Sequence, residues 1–246
     1  MKKVYELAVI LNNNFDYVLE LYVLNENKIC VKPVYKFIKA YAGDLDIHEF
    51  CLVYSEADDS EEIFISTNSR KFEKILQEYK NYKIIFHGED IEGELFESFY
   101  YDKKIKKHIN SELDFKLLTL DDKNLKNSFD EDEDSYLNII FDDFIQNKIY
   151  RDCGIIGAYD KNNNFTGYLA YYEIVENIRD VSYIYIGEEY RSRGYGKDLL
   201  NFFANKNIDD NKISYYSYAD GEVSESLAKS CGFMPCAKRY ENMICK

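Results

Sequence analysis

The chain has 246 residues, a formal net charge of −14, 46% hydrophobic side chains and 16% aromatic ones; that length suits two modest domains or one large one. Residues 1–110 carry 15 basic and 20 acidic side chains and residues 111–246 carry 16 and 25, so neither half offers the basic face that a nucleic acid demands. No run approaches the roughly 20 apolar residues of a membrane span, and the opening MKKVYELAVILNNNF, broken by Glu6, lacks the small-residue cleavage site of a secretion signal.

In chain order, Glu49 to Val53 and Glu62 to Ser66 read as a strand pair around the acidic turn Glu56 to Ser60. Ser69 is placed to cap a helix running to Tyr79, with Phe72, Ile75 and Leu76 on one face. Tyr82 to Phe86 reads as another strand. His87 beside Glu89 and Asp90 reads as a surface loop. The polar run Tyr101 to Ser111 lies between a helix-like segment and a strand-like one and is the expected joint.

Beyond it, Phe115 to Leu118 reads as a strand and Ser135 to Asn147 as a helix with Leu137, Ile140, Phe141, Phe144 and Ile145 in a stripe. Gly154 to Tyr159 and Thr166 to Ile174 form a hairpin around Asp160 to Asn164. Asp180 to Ile186 is a strand, Gly194 to Asn205 a helix, Ile213 to Tyr218 a strand, Ser224 to Ser230 a short helix and Cys236 to Ile244 a last strand. No internal repeat is visible. The expected architecture is α/β (α+β): a smaller α/β accessory domain over 1–110, then a mixed, mostly antiparallel sheet flanked by helices over 111–246.

Chemistry concentrates between Val181 and Leu200. A strand runs into Arg191-Ser-Arg-Gly-Tyr-Gly196, which opens a helix. Glycines let a backbone turn tightly and approach a ligand. Helix-start N–H groups lack internal partners and, with the helix dipole, suit a pyrophosphate. Arg191, Arg193 and Lys197 add positive charge there. A Walker A loop fits worse, because Gly196-Lys197 is followed by Asp198. A dinucleotide fingerprint lacks its third glycine.

Arg-x-x-Gly-x-Gly between strand and helix resembles the coenzyme A signature of the GNAT superfamily of N-acetyltransferases. Tyr215 to Phe233, ending Ser-Cys-Gly-Phe, resembles the family's later strand, short helix and Gly-Phe. The resemblance spans Phe115 to Lys246, and the preceding part is similar to the extra domain of some bacterial members. It implies acetyl transfer from acetyl-CoA, without a metal, to a primary amine on a small molecule or peptide. The acidic surface fits a cationic acceptor.

The same resemblance implies that the pantetheine arm lies along Ile184, Tyr185 and Ile186, where the strand splays from its neighbour. The pyrophosphate is expected on amides of Arg191, Ser192, Arg193, Gly194, Tyr195, Gly196 and Lys197. Ser224 matches a family serine that contacts the cofactor or caps the helix. The family's base maps to Asp180, with Glu173 the other candidate. Gly221 stands where many members have Asn, and Ala228 where many have the Tyr that protonates the leaving thiolate. Tyr216 or Tyr218 is a substitute donor. Those two departures also fit a protein that binds an acyl-CoA without turnover, and the acyl pocket itself is unread. The six scattered cysteines, Cys30, Cys51, Cys153, Cys231, Cys236 and Cys245, build no zinc pattern. Without an export signal they predict reduced thiols in a cytoplasm.

Overall fold

The computed structural model describes residues 23, 35–42, 50–56, 63–68, 72, 79, 81–87, 94–109, 112–119, 122, 150–219 and 221–245. The helix expected at Ser135 to Asn147 lies outside them, as does all but Phe72 and Tyr79 of the helix expected from Ser69. The described strands are β1 (Tyr35–Ala42), β2 (Phe50–Glu56), β3 (Phe64–Thr67), β4 (Asn81–Phe86), β5 (Glu94–Tyr101), β6 (Leu113–Leu117), β7 (Cys153–Asp160), β8 (Phe165–Val175), β9 (Ile178–Ile186), β10 (Ile213–Ala219) and β11 (Met234–Cys245). The helices whose full range lies among the described residues are α1 (Tyr195–Asp209) and α2 (Gly221–Ser230).

Residues before Tyr101 are a strand, β5, and not the helix-like segment expected. Phe96, Phe99 and Tyr100 are spaced like a helix face, but aromatic residues in this density favour a pleated surface.

The chain divides into two compact units, Met1–Ser98 with Cys236–Lys246, and Phe99–Pro235. The expected joint at 110/111 falls inside the second of these, and the last strand returns to the first. Such a return leaves no mark in local sequence.

In the first unit β1 pairs antiparallel with β2, β2 antiparallel with β3, and β3 parallel with β4. β11 pairs antiparallel with β4 from Tyr240 opposite Phe86 to Cys245 opposite Asn81. Phe50, Cys51, Leu52 and Val53 are all fully buried, the mark of a strand covered on both faces. Cys51, Val53, Ile65, Tyr82 and Ile84 form one cluster. Burial pushes the Cys51 thiol up to about 12, which makes it a packing group and not a nucleophile.

In the second unit β6 pairs with β7, β7 with β8 and β8 with β9, all antiparallel. The β7–β8 turn is held by Asp160, whose Oδ1 accepts from the N–H groups of Asn162 and Asn164 at 2.9 and 2.8 Å. β9 and β10 are parallel. Parallel neighbours need a crossover, and α1 supplies it. Leu199, Leu200, Phe203 and Ala204 sit on its inner face, fully buried against Ile156, Ala158, Leu169, Tyr171 and Val181. Truncating Phe203 to Ala should cost about 3–5 kcal/mol, the usual toll for a buried aromatic.

Both units therefore run antiparallel, antiparallel, then parallel: β1, β2, β3, β4 in one and β7, β8, β9, β10 in the other. They share no motif, so the repetition is one of topology alone.

Candidate functional site

The site is built on β9, which is fastened at its start and open at its end. Its pairing with β10 covers three positions, Ile178 to Asp180 against Ile213 to Tyr215. β9 then continues to Ile186 and β10 to Ala219. A bulge supplies the cause. Tyr171 of β8 lies opposite Val181 and Ala170 opposite Tyr183, which leaves Ser182 as an extra residue. An extra residue bends a strand and sharpens its twist. From there β9 keeps β8 on one side and turns its other edge away from β10. A strand edge without a neighbouring strand is a row of N–H donors and C=O acceptors.

The crotch of the fork is occupied by a carboxylate. Asp180 is 1% exposed. Its Oδ1 accepts the backbone N–H of Ser217 at 2.9 Å and its Oδ2 accepts the Ser217 hydroxyl at 2.5 Å. The side chain thus takes the place that the next β9 carbonyl would fill if the strands stayed together. Nothing in the sequence around Ser217 marks it. Its one signal is its position two residues past the last paired position of β10, which only the register reveals.

Below the fork, Arg179 clamps the closed end. Its guanidinium is buried and meets Asp152 at 2.8 Å, Asn207 at 3.1 Å and Asp210. Tyr171 lies 5.3 Å beneath it. Asn207 donates on to Ser214 of β10 at 2.9 Å. Glu173 also stands at this end, opposite Arg179 in the β8–β9 register. It pairs with Lys212 and accepts the N–H of Asn177 at 2.7 Å.

Above the fork the chain leaves β9 through Gly187, makes a 3-10 turn at Glu188–Tyr190, and enters α1. Ser192 has φ of +62° and Gly194 of +84°. Gly194 is the N-cap, no side chain caps the helix, and a Cβ built there meets nothing within 4 Å. The first-turn N–H groups therefore have no side-chain acceptor and, as at any helix start, no partner within the helix. Residues 191–194 and Lys197 are exposed. Arg191 donates from Nε to the Ile186 carbonyl at 3.1 Å, which ties the turn to the end of β9. The Arg193 guanidinium lies 5.6 Å from the Tyr190 ring centre.

The expected site residues fall as follows. Ile184 and Ile186 pack toward the α1 face, whereas Tyr185 packs with Tyr168 on the other face, all three partly exposed. Tyr195 is buried and Gly196 lies near Ile186 and Leu227. Ser224 is the fourth residue of α2, so it is no cap: the helix begins at Gly221, earlier than expected. Ala228 is fully buried in the core of the second unit. The side chain of Tyr218 lies outside the described residues. Tyr216 is buried, 5% exposed.

The group expected here fits the residues present. A diphosphate needs unpaired amides with room in front of them, and the turn at Gly194 has both. A pantetheine arm needs a strand edge to pair with, and β9 offers one beside a gap.

The sequence model of the Acetyltransferase (GNAT) family matches residues 118–233. No curated protein matches the chain by sequence. Among solved structures, a tandem GNAT protein from the clavulanic acid biosynthesis pathway superposes with a TM-score of 0.56 at 9% identity, over 98% of this chain and 94% of that one. A GCN5-related N-acetyltransferase-like protein from Streptococcus suis gives 0.50 at 13% identity, over 100% and 99%. A Drosophila protein gives 0.57 at 11%, over 98% and 95%. These are likenesses of fold. The matched stretch holds the bulged strand, the fork, the glycine turn and both flanking helices, so the likeness to the GNAT family of acetyltransferases covers the whole of the site described above.

Proposed function

We propose that this chain is an N-acetyltransferase that takes acetyl from acetyl-CoA and passes it directly to a primary amine of a cationic acceptor, in the cytoplasm. The observation that carries the reading is the fork: β9 leaves β10 after Asp180 and ends at a glycine turn that no side chain caps and where a Cβ on Gly194 would meet nothing within 4 Å. Amides of residues 192–197 hold the diphosphate, the Arg191 N–H being donated to the Glu188 carbonyl at 3.2 Å. The free edge of β9 at Ile184 to Ile186 pairs with the pantetheine amides. When bound, acetyl-CoA supplies the acetyl group as an activated thioester.

The chain's own residues then have three tasks. A backbone N–H of the bulged part of β9 points into the gap and stabilises the charge that gathers on the thioester oxygen. The amine attacks only as the free base, so its proton must leave. Asp180 stands at the fork and Glu173 at the closed end, tied in a turn. That contrast favours Asp180, acting through the Ser217 hydroxyl: the amine proton passes to Ser217 Oγ as the Ser217 proton passes to Asp180 Oδ2. The leaving thiolate takes a proton from Tyr218 on β10 or from water.

A second reading has its own observation. Ala228, where many family members have the proton-donating Tyr, is sealed in the core, and Gly221 replaces an Asn. A domain that binds acetyl-CoA without turning it over fits that pair. Thermal shift with acetyl-CoA followed by thiol release over a panel of polyamines, aminoglycosides, amino acids and peptides separates them. Stabilisation with thiol release from at least one amine supports the enzyme. Stabilisation with no release supports the binding module, and no stabilisation sinks both.

A further inference from the structure

A cavity of about 370 Å³ lies beside α1 within the second unit, lined by Lys107, Lys197, Lys229, Asn201 and the Cys231–Gly232 turn, with His108, Asp198 and Ser230 completing the wall. Its volume is in the range of small-molecule sites. In a chain of net charge −14, three lysines face one aspartate here. Lys229 already pairs with Glu225 at 2.8 Å. Lys107 and Lys197 have no ion pair among the described residues.

The site is built and not incidental. The backbone of Lys107 is gripped from both sides by Asn205, which accepts its N–H at 2.6 Å and donates to its carbonyl at 2.9 Å. Asn201 donates to the His108 carbonyl at 3.0 Å. The Lys107 ammonium rests 3.9 Å over the Tyr101 ring. A Cβ on Gly232, which sits at φ of +74°, would come within 2.8 Å of that ammonium. Burial, with Lys103 and Lys197 near, holds the Lys107 amine below its ordinary value despite the opposing pull of Cys231. A cation so placed gains from an anion.

A second observation is independent of charge. Asn201 is 4% exposed, and its Oδ1 is buried without a hydrogen-bond partner. A buried acceptor left unmet costs roughly 1–3 kcal/mol. Because Nδ2 is committed to His108, flipping the amide does not cure it. The missing partner is an N–H or O–H donor.

We propose that this cavity binds a phosphate monoester whose organic body carries an N–H or O–H donor. The phosphate sits between Lys107 and Lys197 with Lys229 at the edge, and the donor meets Asn201 Oδ1. Two sources share this chemistry: the 3′-phosphate end of coenzyme A, whose base carries an amine, and a free phosphorylated metabolite. The first rests on the cofactor reading above; the second does not.

The test uses the full chain, its Lys107→Met, Lys107→Arg and Lys229→Met variants, and three probes: inorganic phosphate against chloride at equal ionic strength, coenzyme A, and 3′-dephospho-coenzyme A. Unliganded melting curves check that each variant folds. The proposal expects a phosphate-dependent gain that Lys107→Met loses by about tenfold in affinity, Lys229→Met reduces and Lys107→Arg keeps. If the gain is coenzyme A over its dephospho form, the coenzyme is the source. If inorganic phosphate alone shows it, a free phosphomonoester is. No gain in either comparison, or a gain indifferent to Lys107, overturns the proposal. Failure of both coenzymes to bind would instead remove the cofactor reading, and the phosphate arm still judges the pocket.

Discussion

The chain builds a parallel strand pair twice and opens only the second. β3 and β4 are parallel and stay together, from Phe64 opposite Lys83 to Thr67 opposite Phe86, and the His87 N–H still reaches the Thr67 carbonyl at 3.0 Å. β9 and β10 are also parallel, yet part after three positions. Two local differences account for this. β9 carries a bulge at Ser182, and Asp180 fills the crotch by binding Ser217. The connections differ as well. Residues 68–80 between β3 and β4 contain no glycine, whereas the passage from β9 into the first turn of α1 contains Gly187, Gly194 and Gly196. A fold alone therefore does not make a cofactor site. The second pair adds a bulge, a carboxylate and a glycine turn, and the proposed cofactor site rests on these three.

The largest effect should come from closing the glycine turn. Gly194→Asp places a charge and a Cβ where φ is +84°; acetyl-CoA affinity by calorimetry should fall on the order of a hundredfold or more. Gly194→Ala adds strain of roughly 1–2 kcal/mol without the charge and should lose about tenfold. Equal affinities in all three proteins would show that the turn holds no phosphate. The same titration counts sites. The comparison of the two parallel pairs predicts one acetyl-CoA per chain, and two would mean that the β3–β4 unit binds as well.

Next comes the fork itself. Asp180→Asn keeps the shape and one acceptor but removes the charge. If Asp180 accepts the amine proton, kcat should fall about a hundredfold, the acid limb of the pH profile should vanish, and acetyl-CoA affinity should hold. Ser217→Ala should then match it. If Asp180 only keeps the strands apart, both variants should weaken cofactor binding and leave the pH profile in place. An unchanged kcat and affinity would remove both residues from the mechanism.

Much of this contrast could be read locally. Arg191 to Gly196 marks a glycine turn into a helix because that turn is built from residues adjacent in sequence, and the turn is present. The strands from Cys153 onward were found within a few residues because their apolar runs are short and bounded by turns. What stayed hidden joins distant residues. Asp180 and Ser217 are 37 apart, Arg179 and Asp152 are 27 apart, and Lys107 meets α1 across 98 positions. The repeated topology was hidden because pairing direction leaves no motif. The helix expected before Tyr101 is strand β5 because its aromatic spacing fits either element.

The smallest effect concerns the closed end and sharpens the comparison from below. The Asp210 carboxyl sits under its ordinary 3.8: burial opposes this, but hydrogen bonds from Arg179 and Lys206 prevail. Its folded value is thus below its unfolded one, so the stability it adds is complete above that ordinary value and fades as pH falls through the folded value. Asp210 is about one-third exposed, so solvent screening keeps the contribution near 1 kcal/mol. Asp210→Asn should lower stability by about that much at pH 7 and flatten the loss between neutral pH and the acid range. Hydrogen exchange gives the sharper readout. If Arg179 and its carboxylates pin the start of β9, amides of Ile213 to Tyr215 should exchange faster in the variant, while those of β3 and β4 do not change. Acceleration spread evenly over both parallel pairs would mean that the ion cluster steadies the whole chain and has no special hold on the fork.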